Sequence, residues 1–141
     1  MTIEDILKFK KEFETNHGRL PTEREIRGEE SRRKQVVKKY ANNHMYTDVA
    51  PYEVIRKISD ITVEVRAMDY TQVKFPKDAH NGGFACYYAD NRSGQDYEYS
   101  SNDENQIIRI RWSKARHRWQ DSDGRRFVMS DEPYRFYDYN F

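Results

Sequence analysis

The apolar positions change period near residue 50. Before it, Ile3, Ile6, Leu7, Phe9 and Phe13 recur at helical spacing. Beyond it, apolar and polar residues alternate, as strand side chains do when they point to opposite faces in turn. Ile61, Val63, Val65 and Ala67 fall on one face of such a segment, with Thr62, Glu64, Arg66 and Met68 on the other.

The helical part has its own punctuation. Thr2 with Asp5 three residues on forms a capping box, and Gly18 after Asn16-His17 suits a left-handed cap. Thr22 and Glu25 repeat the box and open a second helix behind Pro21. That helix is polar: Ile26, Val36, Val37, Tyr40 and Ala41 are its apolar residues, Gly28 a candidate break and Ser31 a candidate new cap. It should therefore pack on the first helix, or on the same helices of a second subunit. Tyr46 to Tyr52, with Asp48 and Pro51, reads as a junction.

Strands are predicted at 53–58, 61–68, 84–89, 95–100, 106–112, 116–120 and 125–129, divided by turn residues such as Asn81-Gly82-Gly83 and Asp121-Ser122-Asp123-Gly124. The fold class is α+β: an N-terminal helical hairpin followed by a small antiparallel β-core, a meander or half-open barrel. Residues 1–48 form the helical oligomerisation segment, and 49–141 the β-core with the ligand site. The aromatic tail, 134–141, should be docked as a last strand or across an interface.

Hydrophobic residues are 36% and charged residues 35%, lean for a globular chain, but aromatics reach 14%, which argues for a folded protein. The net charge of +1 conceals an imbalance. Arg109, Arg111, Lys114, Arg116, Arg118, Arg125 and Arg126 face only Asp121 and Asp123 in their stretch. Such a run favours an anionic partner, or is a solvated basic face. Cys86 is the sole cysteine, so no intrachain disulfide forms, and a buried inert thiol is expected. The opening MTIEDILKFKKEF has no apolar stretch of the signal-peptide kind, and no segment nears the roughly 20 apolar residues of a membrane span. A cytoplasmic protein is expected.

Catalytic patterns are sparse. His17, His44, His80 and His117 are scattered, and neither a zinc-type His pair, a nucleophile elbow nor a phosphate-cradling glycine loop occurs. The expectation is a non-enzyme without cofactor or metal. What remains is recognition. In Ile107-Ile108-Arg109-Ile110-Arg111-Trp112, the two arginines share the face opposite Ile108, Ile110 and Trp112. They sit roughly 6.5–7 Å apart, close to the span of neighbouring phosphates. Asn81-Gly82-Gly83-Phe84 offers close backbone approach followed by a ring, and Asn91 lies in the next turn. A ring stacks on a base, guanidinium forks hold phosphate, and Asn pairs with a base edge or ribose hydroxyl. Arg66, Phe84, Asn91, Arg109 and Arg111 are thus the candidate nucleotide-binding residues. The plainer alternatives are core packing for Phe84 and cross-strand acid pairs for Arg109 and Arg111.

Two N-terminal helices followed by Ile58-Ser59-Asp60-Ile61-Thr62-Val63-Glu64-Val65-Arg66-Ala67-Met68, Gly82-Gly83-Phe84, Ile110-Arg111-Trp112 and Arg135-Phe136-Tyr137-Asp138-Tyr139-Asn140-Phe141 resemble small phage proteins, the first-described type of anti-Thoeris sponge. The resemblance covers mainly residues 53–141. It implies a phage-encoded immune-evasion protein that binds, without cutting, a cyclic ADP-ribose isomer made by a host TIR-domain defence protein. It also implies a homodimer or larger homo-oligomer, and in some relatives cyclic oligonucleotides at separate sites. On this likeness Phe84 would stack on adenine, Asn91 would bond the base or a ribose, and Arg109 with Arg66 or Arg111 would clamp the diphosphate.

A rival reading uses residues 13–45. Phe13, then Gly18-Arg19-Leu20-Pro21-Thr22-Glu23-Arg24-Glu25-Ile26, looks like part of a helix–turn–helix DNA-binding module, with Arg24, Arg27, Arg32, Arg33, Lys34, Lys38 and Lys39 tracking phosphates. Glu23, Glu25, Glu29 and Glu30 lie among those bases, and Gly28 interrupts the would-be recognition helix.

Overall fold

A computed structural model describes residues 1–74, 80–81, 87–88 and 95–138. The chain divides into two compact units, Met1–Val36 and Val37–Phe141. The first contains α1 (Ile3–His17) and α2 (Glu23–Gln35). Both N-terminal boxes form: Thr2 and Asp5 bond each other's backbone N–H, as do Thr22 and Glu25. Each box satisfies helix donors that would otherwise be orphaned. Gly18 ends α1 at φ 70° and donates to the Glu14 carbonyl. At α2 the sequence reading needs correction. The helix passes Gly28 and Ser31 unbroken and stops at Gln35, so Tyr40 and Ala41 are not helical. Neither helix has a buried residue, and the expected packed hairpin gains no support from burial.

The second unit is a sheet closed on itself. Its strands are β1 (Tyr40–His44), β2 (Val49–Ala50), β3 (Tyr52–Ser59), β4 (Thr62–Ala67), β5 (Asp69–Lys74), β6 (His80–Asn81), β7 (Tyr87–Tyr88), β8 (Asp96–Ser100), β9 (Ile107–Ser113), β10 (Arg118–Gln120) and β11 (Arg126–Ser130). β1, β3, β4, β9, β10 and β11 pair in that order, all antiparallel. β11 returns to β1 over the full run from Tyr40↔Ser130 to His44↔Arg126. The result is a barrel-like antiparallel sheet of six strands. The seam between β1 and β3 is narrow: the Tyr40↔Glu53 pair and a bond from Val54 N to the Lys39 carbonyl. β2, inside the supposed junction, pairs with β1.

The alternation read from sequence sets the interior. Val63, Val65 and Ile110 are completely buried, packed with Ala41, Trp112, Trp119, Phe127 and Met129. Trp112 and Trp119 are register partners and meet edge-to-face at 5.9 Å, while Tyr52 does the same to Phe127 at 5.1 Å. Between β4 and β9 the chain makes an excursion, in which β5 pairs with β8 and β6 with β7.

The described part of the tail, 134–138, is docked along this unit. Val49 and Phe136 exchange both backbone hydrogen bonds, at 2.9 and 3.0 Å. The Gln95 amide mimics a strand partner, donating to the Tyr137 carbonyl and accepting from its N–H. Buried Asn42 holds the stretch leading into the tail, donating to the Glu132 carbonyl and accepting from Tyr134 N–H.

Candidate functional site

β9 carries the outward cations. Its register against β4 places Thr62 opposite Arg111, Glu64 opposite Arg109, and Arg66 opposite Ile107. Residues facing each other across a ladder share a face, so all three arginines point outward, away from Val63, Val65 and Ile110. Their surroundings differ. Arg66, its side chain mostly buried, is held by Glu53 at 2.9 Å and Asp103 at 3.0 Å. Arg109 meets Glu64 at 3.7 Å, and Glu64 is already engaged by Arg56 at 3.0 Å. Arg111 is exposed and has no acidic partner among the described residues.

The neighbouring strands supply what a linear reading cannot. Across the sheet, Arg111 faces Gln120 on β10, Gln120 faces Arg126 on β11, and Arg126 faces His44 on β1. With strands about 4.8 Å apart, Arg111 and Arg126 stand two spacings from each other, with an amide between them. Arg118 joins them, donating to Gln120 Oε1 at 3.1 Å and to the Gly124 carbonyl at 3.1 Å. Neither Arg118 nor Arg126 has an acidic partner among the described residues. The His44 imidazole is pushed below its ordinary pKa, first by burial and then by the Arg126 charge.

Beside this row lies an open groove of about 910 Å³, bordered by Arg109 and Arg111 on one side and Ser122, Asp123 and Arg125 on the other. β10 is short, so β9 outruns it and the 121–125 turn stands across the gap. Asp121, buried, builds that turn: its carboxylate accepts from the N–H groups of Asp123 and Arg125 and from the Arg125 guanidinium. Arg125 is thereby committed, its pKa raised mainly by that bond. Gly124, at φ 85°, takes the left-handed conformation the turn requires.

Of the sequence-derived site, the structure sets Arg109 and Arg111 side by side on one face, and Arg66 on the same face but tied to acids. Phe84 and Asn91 lie outside the described residues. Arg118, Gln120 and Arg126 were missed as site residues. The basic run signalled them, but only strand pairing places them beside Arg111. Among the described residues no group of three His, Cys, Asp or Glu side chains is placed to hold a metal ion, and no helix is long and apolar enough to cross a membrane.

The 13–45 segment does not form one helical module, because Tyr40–His44 is a strand of the second unit. Within α2, Glu29 binds Arg32 and Arg33, and Glu23 approaches Arg27. No family model, curated protein or solved structure matches the chain.

Proposed function

We propose that this protein is a non-catalytic binder of a compact anionic nucleotide, seated on the outer face of β9. The ligand is a cyclic ADP-ribose isomer made by a TIR-domain defence protein, which the protein sequesters and releases unchanged. One observation carries the reading: exposed Arg111, without an acidic partner among the described residues, lies beside Arg109 and across from Gln120. Cations crowded on one face repel one another, and an anion relieves that repulsion while using the guanidinium forks.

The contrast among the three arginines sharpens the assignment. Arg109–Glu64 is a long contact at 3.7 Å, from a half-exposed guanidinium to a carboxylate that Arg56 already holds at 3.0 Å, and a diphosphate can replace it. Arg66 would have to leave two closer carboxylates. Arg109 and Arg111 therefore form the clamp, and Arg66 supports the sheet from the side. A ligand pocket typically encloses about 70–90% of its ligand, whereas this face covers one side. A second copy of the chain is proposed to close the other.

The test is retention. The protein is incubated with the cyclic ADP-ribose isomer, stripped of free ligand by gel filtration and heated, and the released small molecule is weighed by mass spectrometry. The expected result is intact ligand from the wild type and at least tenfold less from Arg111→Ala. Equal retention by the variant would remove this face from the account, and a changed mass would make the protein an enzyme.

A further inference from the structure

A second recess lies between the β5–β8 ladder and the tail. It is about 300 Å³, lined by Tyr70, Gln72, Tyr97, Arg135 and Tyr137. The Arg135 guanidinium lies 4.9 Å from the Tyr70 ring centre and 5.7 Å from that of Tyr137. Its Nη1 donates to the Val49 carbonyl at 3.3 Å, but its Nε is buried and has no hydrogen-bond partner among the described residues. No carboxylate pairs with it among the described residues.

That cation is not held loosely. Every backbone N–H from Arg135 to Asp138 is bonded: to Tyr99 Oη, the Val49 carbonyl, Gln95 Oε1 and Asp48 Oδ1 in turn. A fixed guanidinium with a buried donor left idle, and no carboxylate beside it among the described residues, costs stability that two tyrosine faces and one carbonyl return only in part. Packing the tail does not require it, since lysine or leucine would cover the same tyrosines. The cost is explained if something else bonds that edge.

We infer that this recess is a ligand site distinct from the β9 face. It takes a small planar ring bearing one anionic group, with a carboxylate or phosphate oxygen on the Nε edge of Arg135 and the ring against Tyr70 or Tyr137. The volume decides the size class. About 300 Å³ is the lower limit for ligand pockets, so one ring fits and a dinucleotide does not. Tyr70 is 42% exposed, so the ring covering the guanidinium at 4.9 Å can swing outward to admit the anion.

The probe is phenyl phosphate, titrated by calorimetry and by tyrosine NMR shifts into an Arg111→Ala background that silences the β9 face. Benzoate and inorganic phosphate are run alongside. Saturable binding of phenyl phosphate is expected, with inorganic phosphate at least tenfold weaker for want of a ring. Tight benzoate binding would identify a carboxylate ligand, and weak benzoate binding a phosphate one. Arg135→Lys keeps the charge but loses the planar fork, and should weaken phenyl phosphate tenfold or more. Tyr70→Leu keeps apolar bulk and should weaken it while sparing inorganic phosphate. Absence of saturable binding, or parental affinity in Arg135→Lys with an unchanged melting temperature, would overturn the proposal. Because Arg111 is absent from all these proteins, failure here leaves the β9 reading intact.

Discussion

The two units are stabilised by opposite means. The first, Met1–Val36, has no buried residue in either helix and relies on capping boxes and ion pairs at its surface. The second encloses Val63, Val65, Ile110, Trp119 and Phe127 at 1% exposure or less. Local hydrogen bonds decide where a helix begins, but each adds only about 1 kcal/mol, whereas one aromatic in a closed core adds several. Rigidity should therefore belong to the unit that carries the arginine face, which a binding surface needs if its cations are to stay in place.

The harshest way to probe that contrast is to hollow the barrel. Phe127→Ala should cost about 3–5 kcal/mol and erase the near-ultraviolet tryptophan signal of the Trp112–Trp119 pair. A loss under 1 kcal/mol by chemical denaturation would mean that the core is not what holds the sheet closed. Next is Thr22→Ala, which removes the cap of α2 and should cost about 1 kcal/mol. Hydrogen exchange should quicken from Glu23 to Gln35 and remain unchanged in the barrel. Slowed or unaltered exchange in α2 would deny the cap its role.

Acid should separate the units by pH window. Glu25 is lowered to about 2, first by its bond from Arg19, and Glu29 to about 2, first by its bond from Arg32. Depressed carboxylates contribute stability that is present above their ordinary value of 4.5 and lost as pH falls toward 2. Helical circular dichroism should decline across that interval, and Glu29→Gln should flatten the decline. His44 acts in the barrel and higher on the scale. As a base with a depressed pKa, it binds protons more readily in the unfolded chain, so stability should fall as pH drops below about 6.5. His44→Gln should abolish that slope, read from urea midpoints between pH 7.5 and 5.5. The smallest stability change is expected for Arg111→Ala, within about 0.5 kcal/mol, because its exposed side chain has no acidic partner among the described residues.

What was legible in the sequence was local. Both capping boxes, the Gly18 cap, the two faces of β9 and the inward Val63 and Val65 of β4 follow from neighbours within a few positions. The rest of the β4 alternation fails: Ile61 is exposed, while Thr62 and Met68, expected outside, are buried. β1 was not legible, because Asn42 and Asn43 are buried polar residues, and Asn42 is satisfied by backbone at Glu132 and Tyr134, some 90 positions away. β5 follows β4 after Met68 alone, so no turn signal announced it. The same limit governs the site. The Arg109/Arg111 pair could be read along one strand. The Gln120–Arg126 flank could not, nor could Arg66's commitment to Glu53 and Asp103, since strand pairing and a loop create them.

The sharpest single measurement compares the affinity of wild type and Arg111→Ala for the cyclic ADP-ribose isomer by calorimetry, with melting temperatures taken on the same samples. Saturable wild-type binding is expected, with at least a tenfold loss in the variant and melting points that coincide. Unchanged affinity in a variant of unchanged stability would contradict it.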